Sequence, residues 1–281
     1  MQEAKKKFID IRKIFHDKNP RLAAMLPAFV MHYIRKTIHE DEVNEFLDVH
    51  GDKQGLEFIR TSLERFRVNV ISSGANNIPA SGGFIIAANH PLGGLDAFAL
   101  MQEIAKRRAD FKFIVNDILL QLENLKGLFI GVNKHGKNAQ LNLAAIDALY
   151  SSEKGVLIFP AGLVSRKKNG IIRDLAWQKS FVTKAKKHQR NVIPVHIEGN
   201  LTNRFYSIAN FRTALGIKAN IEMFYLVDEL FRQKNKTIEI IIGEPVPFTF
   251  FDKSKSDFEW AQWVKEKVYE LAEKQPAHVS A

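Results

Sequence analysis

Phe84-Ile85-Ile86-Ala87-Ala88-Asn89-His90-Pro91-Leu92-Gly93-Gly94-Leu95-Asp96 is the stretch on which the reading of the fold turns. Its first five residues are apolar without polar alternation, the pattern of a strand covered on both faces. A proline and paired glycines then break the run, as residues that end regular structure do. From Leu95 to Arg108 the pattern becomes helical. Strand, turn and helix in succession form the building unit of an α/β sheet.

The same unit recurs along the chain. Short apolar, β-branched runs lie at Val68–Ile71, Phe111–Val115, Leu128–Val132, Val156–Phe159, Val192–Ile197 and Ile238–Ile242, with helical stretches such as Gln140–Ser151 and Trp177–Lys187 between them. They predict an α/β fold with a central, mostly parallel or mixed sheet flanked by helices. Upstream, Phe8, Ile11, Ile14 and Phe15 recur at helical spacing, and Asn19-Pro20 punctuates them. The acidic stretch Glu40–Asp48 and Gly51 precede a further helix over Gln54–Arg65. We therefore expect a helical appendage over residues 1–66, packing or membrane-associating, and an α/β domain over 67–281. The composition agrees: among 281 residues, 46% are apolar and 26% charged, with 16 Gly and 9 Pro. It excludes collagen-like, low-complexity and wholly disordered chains. With no cysteine, disulfides, zinc-thiolate sites, iron–sulfur clusters and a cysteine nucleophile are all removed, which fits a reducing compartment.

The net charge of +10 is concentrated in two places. Residues 1–36 hold nine Lys/Arg against three Asp/Glu, and residues 165–190 hold nine against one, Asp174. Such patches suit anionic partners, although a solvated lysine face has the same composition. Leu22–Ile34 is the nearest approach to a membrane span. Its 13 residues, interrupted by Pro27 and His32, fall short of the roughly 20 a bilayer requires, and it lacks a signal-peptide cleavage site. Flanked by Lys18, Arg21, Arg35 and Lys36, it reads either as a helix lying in a membrane interface or as a buried helix.

Ligands of open α/β sheets sit beyond the carboxyl ends of the strands. Beyond Ala88, His90 and Asp96 stand on either side of a Gly-Gly turn. A carboxylate accepting from one imidazole nitrogen fixes the tautomer and leaves the other nitrogen free to remove a proton. No GxSxG elbow accompanies the pair, so the base would act on a substrate hydroxyl directly. The plainer alternatives are a helix-capping aspartate and a satisfied core histidine. Beyond Val156–Phe159, the segment Pro160-Ala161-Gly162-Leu163-Val164-Ser165-Arg166-Lys167-Lys168, with Arg173 behind it, offers a glycine for close backbone approach and donors for a phosphate or carboxylate. A solvated basic loop is the alternative there. Gly131-Val132-Asn133-Lys134-His135-Gly136-Lys137-Asn138 approaches a P-loop but has Asn138 where the metal-holding hydroxyl belongs, and no aspartate ends the later strand. A nucleotide-binding protein is therefore one alternative. A non-enzymatic basic module for membrane or nucleic acid is the other, and it leaves the His/Asp pair unexplained.

The two constellations, in this order and about seventy residues apart, resemble those of the glycerophosphate/lysophospholipid acyltransferase superfamily. That family carries an Asn-His-…-Asp motif, a later Phe-Pro-Glu-Gly motif and a last apolar strand containing proline, to which Val192-Ile193-Pro194-Val195-His196 is similar. The spacing of His90 to Asp96 is one residue longer than in most members, and the whole segment is similar to the hemolysin-like branch, which includes acyltransferases for lyso-ornithine and other amino-acid lipids. Ala161 replaces the motif's glutamate, and near Val132, where the family has an arginine, only Lys134 and Lys137 supply charge. The resemblance implies an O-acyltransferase with His90 as general base and Asp96 as its partner. It implies substrate contacts from Asn89, Phe159, Pro160, Ala161, Gly162, Ser165, Arg166, Lys167 and Arg173. It also implies no metal and no bound cofactor, an acyl-CoA or acyl-carrier-protein donor, a lysolipid acceptor, no nucleic acid, and a peripheral place on an anionic membrane at its cytoplasmic face.

Overall fold

A computed structural model describes residues 7–18, 20, 25–116, 119–131 and 139–273. In chain order the strands are β1 (Asn69–Ser73), β2 (Phe84–Ala88), β3 (Phe111–Val115), β4 (Phe129–Gly131), β5 (Gly155–Ile158), β6 (Arg166–Lys168), β7 (Ile171–Arg173), β8 (Asn191–Ile197) and β9 (Thr237–Ile242). The helices are α1 (Ile11–Lys18), α2 (Ala28–Thr37), α3 (Glu40–His50), α4 (Gly55–Arg65), α5 (Gly94–Ala105), α6 (Ala139–Ser151), α7 (Ser180–His188), α8 (Asn203–Ala214), α9 (Leu226–Phe231) and α10 (Asp257–Glu273).

Seven strands form one sheet in the order β1-β9-β8-β2-β5-β3-β4. Each apolar run noted above supplies one of them. All neighbours are parallel except β8 and β9, where Val195 faces Ile242 in antiparallel register. β1 and β9 thus run against the other five, and the sheet is mixed but mostly parallel. β2 lies in the middle and is buried along its length. Alternate side chains of a strand point to opposite faces. Phe84, Ile86 and Ala88 accordingly join Ile59 and Leu63 of α4 and Leu95, Ala99 and Leu100 of α5. Ile85 and Ala87 join Trp177, Phe181 of α7 and Val264 and Val268 of α10. This double cover explains why β2 carries no polar alternation.

Two features go beyond the sequence expectation. The basic stretch after Ser165 is an antiparallel hairpin, β6 against β7, whose turn is Asn169-Gly170 with φ of 51° and 81°. Positive φ at both central residues is what a tight hairpin needs, and Asn-Gly meets it. In the N-terminal part, α4 packs Phe58, Ile59 and Leu63 into the same cluster as β2. The helices before it are tied together by a buried carboxylate: Glu40 accepts from Arg35 Nε at 3.0 Å, Lys7 Nζ at 3.3 Å and the Ile11 N–H at 3.1 Å. Lys134, Lys137 and the rest of the P-loop-like segment after Gly131 lie outside the described residues, as do Leu22, Ala23 and Ala24. No helix among the described residues is long and apolar enough to cross a membrane.

Because Ile59 is fully buried against the sheet, Ile59→Ala should lower the unfolding free energy by about 2–5 kcal/mol. Denaturant unfolding followed by far-ultraviolet circular dichroism should show one cooperative transition at lower denaturant. An unmoved main transition would place α4 outside the cooperative core.

Candidate active site

The site forms where β2, β5 and β8 end side by side. Asn89 terminates β2 with its side chain: its amide Nδ2 donates to the Ile197 carbonyl at 2.9 Å, and its Oδ1 accepts from the Ile197 N–H at 2.7 Å. The buried amide takes the place a backbone group would hold in the β2–β8 ladder, satisfying the peptide of Ile197 that would otherwise be orphaned. Asn89, expected as a substrate contact, is thereby committed to the fold.

The next residue is released from the ladder. His90 turns its ring back so that Nδ1 lies 2.8 Å from Asp96 Oδ2, and one face stacks on Phe159 with centroids 4.1 Å apart and planes at 18°. With a carboxylate as its partner, Nδ1 carries the proton and Nε2 is the basic nitrogen. Nε2 has no hydrogen-bond partner among the described residues, and the His90 side chain is 18% exposed. Asp96 is fully buried in the first turn of α5, where its Oδ2 also accepts from the Leu92 N–H at 2.9 Å and its Oδ1 from the Ala97 N–H at 2.8 Å. Helix N-termini suit such an acceptor because their first N–H groups lack partners within the helix. Between His90 and Asp96 the chain turns at Gly93, whose φ of 78° and ψ of −118° suit glycine.

The second constellation is split by the structure. Phe159 and the turn after it stand beside His90. Pro160 is buried and its carbonyl accepts from the Gln178 N–H at 2.9 Å; the Gly162 N–H closes a turn on the Phe159 carbonyl at 3.0 Å. Ala161 is half-buried and Gly162, at φ 70°, is exposed with open space around it. Ser165 is buried, its N–H donating to the His90 carbonyl at 2.8 Å and its hydroxyl to Asp174 Oδ1 at 2.6 Å. That hydroxyl points into the protein.

The basic residues are largely paired. Arg166 donates through Nη1 to the Val164 carbonyl at 2.6 Å and through Nη2 to Glu222 Oε1 at 2.8 Å, while stacking over Phe205 at 5.5 Å. Burial pushes this guanidinium below its ordinary pKa, and the charge of Glu222 opposes that shift. Arg212 meets the same carboxylate from α8, its Nε 2.7 Å from Glu222 Oε2. Two guanidiniums on one fully buried carboxylate leave a net positive charge. Lys167 donates to Asn203 Oδ1 at 2.9 Å. Arg173 donates to Glu266 Oε2 at 2.8 Å and lies over the Tyr269 ring at 4.2 Å, on the side of α10. Sequence reasoning missed Arg212 and Glu222, which lie in a segment without apolar period or motif; only the topology brings them to Arg166.

Comparison with known proteins decides the family. A family model described as Acyltransferase matches residues 13–277. The chain belongs to the acyltransferase family. It is 41% identical to the lyso-glycine lipid O-acyltransferase of Bacteroides thetaiotaomicron over 264 residues, 94% of this chain and 97% of that protein. It is 40% identical to the lyso-glycine lipid O-acyltransferase of Phocaeicola vulgatus, over 94% of this chain and 95% of that protein. Among solved structures, the 1-acyl-sn-glycerophosphate (LPA) acyltransferase PlsC from Thermotoga maritima shares the fold, with a TM-score of 0.50, 19% identity, and coverage of 95% of this chain and all of that one. The reading as an O-acyltransferase with an α/β fold is thereby established, and the family match takes in the N-terminal helices as well as the sheet.

In this acyltransferase, Asn89→Ala should leave both polar groups of the buried Ile197 peptide unpaired. About 1–3 kcal/mol of stability should be lost, read from the midpoint of chemical denaturation. A variant as stable as the parent would mean that the ladder closes without the amide.

Proposed function

We propose that the protein transfers an acyl chain from an acyl-CoA or acyl-carrier-protein thioester to the hydroxyl of a lyso-amino-acid lipid, with His90 Nε2 as general base. The observation that carries this reading is the His90–Asp96 contact of 2.8 Å at the strand ends, with Nε2 left open. Nε2 takes the proton of the acceptor hydroxyl as its oxygen attacks the thioester carbonyl. The new C–O bond forms, the tetrahedral adduct collapses with cleavage of the C–S bond, and the imidazolium returns the proton to the departing thiolate. Asp96 holds the ring and faces the positive charge it gains. Stacking on Phe159 keeps the ring plane from turning.

The relatives and the charge of the site support an anionic acceptor. The named relatives are lyso-glycine lipid O-acyltransferases, and a glycine whose carboxyl group is free is anionic at neutral pH. The Arg166–Glu222–Arg212 group, with its net positive charge, supports an anionic head group of that kind close to the His90 loop. Lys167 supports the same reading from the edge of the hairpin.

A peripheral place on a membrane is supported by two outward stripes that meet. On α2 and the turn before it, Met25 and Phe29 are 79% and 75% exposed, and Tyr33 follows at helical spacing. On α8, Arg204 and Phe211 share one face, with Phe211 66% exposed and Leu215 following the helix end. The stripes join where Arg204 Nη2 donates to the Tyr33 hydroxyl at 2.7 Å and the Tyr33 and Tyr225 hydroxyls lie 3.1 Å apart. Apolar side chains, tyrosines and arginine together suit an anionic interface. The buried side of α8 packs Phe205 and Tyr206 beside Val164, so this face borders the site.

Acyl transfer by purified protein should be measured by mass spectrometry, with lyso-glycine lipid and lysophosphatidate as acceptors and both donor types. Transfer to the glycine lipid is expected, and His90→Ala should reduce it by about 10²–10⁴-fold. A folded His90→Ala protein with full activity would overturn the base assignment. Transfer to lysophosphatidate alone would overturn the acceptor.

Co-sedimentation with anionic vesicles should weaken with rising salt without vanishing, because the apolar part is not screened. Phe29→Ser with Phe211→Ser should remove the salt-resistant part. No binding by the parent protein at any salt would rule the surface out.

A further inference from the structure

Asp174 follows β7 directly and is buried, with 4% of its surface exposed. Donors from three separate segments converge on its carboxylate. The His90 backbone N–H reaches Oδ1 over 3.2 Å, the Ser165 hydroxyl reaches the same oxygen over 2.6 Å, and the Trp177 indole N–H reaches Oδ2 over 2.8 Å. Its own peptide is held from α10, the N–H donating to the Tyr269 hydroxyl at 2.7 Å and the carbonyl accepting from Lys265 Nζ at 2.7 Å. The Ser165 N–H donates in turn to the His90 carbonyl. Both polar groups of the His90 main chain are therefore gripped by one assembly.

A carboxylate is an expensive choice for this position. Burial pushes the Asp174 carboxyl up, against the opposing effect of the Ser165 and Trp177 bonds and of a charge on His90. The groups facing it from the surrounding elements are His90, Lys265, Tyr269 and Arg173, and burial also pushes the Lys265 ammonium down and the Tyr269 hydroxyl up. A buried polar group is stable only when its partners are satisfied. Here the satisfied partners are the loops after β2 and β5, the two that carry His90 and the Phe159 turn.

We infer that Asp174 is a positioning residue for acyl transfer, fixing the main chain of His90 where Asp96 fixes its ring. The inference rests on the reading of His90 as the base. Held at Nδ1 by one carboxylate and at the peptide by the other, the imidazole has its Cα position and its ring orientation set independently. The location of Nε2 relative to an acceptor hydroxyl depends on both. Misplacement of a reacting group by about 1 Å costs about 10²-fold in rate. No motif marks Asp174 in the sequence, where it appears as the single acid of a basic stretch.

The test uses the purified full chain with a donor and acceptor that support the parent reaction. Asp174→Asn keeps the shape and turns one acceptor into a donor, which opposes either the indole N–H or the pair of donors on Oδ1. Its kcat should fall about 10–100-fold with both KM values within about threefold. Trp177→Phe removes only the bond on Oδ2; it should lower stability but hold kcat within about threefold of the parent. Wild-type kcat in Asp174→Asn, a rise in KM at constant kcat, or an equal loss of kcat in Trp177→Phe would each overturn the inference. Should Asp174→Asn fail to fold, Ser165→Ala decides. It removes one donor from Oδ1 and keeps the Ser165 N–H on the His90 carbonyl, so lower kcat at constant KM supports the inference and unchanged kcat overturns it. An active His90→Ala protein would remove the base assignment and this inference with it. An inactive one beside a fully active Asp174→Asn would remove this inference alone.

Discussion

The amide of Asn89 is the constraint from which the site is built. By bonding both polar groups of Ile197 it lets β2 stop two residues before β8 does, without leaving an unpaired peptide in the core. Stopping there frees the next backbone unit for other partners and turns His90 toward α5. A strand ending in an apolar residue would have to keep pairing or bury an orphaned group. The polar residue that closes the ladder thus decides where the histidine leaves it, and the glycine at Gly93 lets the chain return so that Asp96 meets the ring.

Buried carboxylates do much of the remaining joining. Glu40 gathers α1, α2 and α3; Asp96 ties the start of α5 to His90; Asp174 holds three strand-end segments; Glu222 draws Arg166 and Arg212 together. Each sits among donors from elements distant in sequence, so its desolvation is offset only when the tertiary structure is complete. Burying an ion in this way contributes little net stability. It does make the arrangement of its partners specific, and three of these four clusters border the same end of the sheet.

What the sequence made legible follows from the range of the forces involved. The strands of the sheet and the helix after Gly94 were readable because a doubly covered strand is a local pattern, visible in five residues such as Phe84–Ala88. The His90–Asp96 pair was readable for the same reason, being separated by a single turn. The hairpin at residues 166–173 was not anticipated, since its charged side chains hide the Asn169-Gly170 turn signal inside a basic run. That run looked like a free cationic patch, but Arg166, Lys167 and Arg173 find partners on Glu222, Asn203 and Glu266, far along the chain. Asn89 and Ser165 looked like substrate contacts and are turned inward by partners of the same kind. Long-range pairing carries no local signature, so the roles of these polar residues became clear only with the fold.

The reversed direction of β9 has a consequence for how such an enzyme can diverge. Because β8 ends at the end of the sheet that carries His90 and its antiparallel neighbour begins there, the chain from Glu198 to Lys236 never has to travel back along the sheet. A parallel neighbour would have required a return crossover through the helical layer. The connection instead carries its own small core, Leu201, Phe205 and Tyr206 against Val164, and its later part packs on the N-terminal helices, where Asp228 meets His39 Nε2 at 3.1 Å and Phe231 stacks on the same ring. Its length and composition are decoupled from the sheet's register. Exposed positions such as Phe211 can therefore change without moving the strand ends that carry His90.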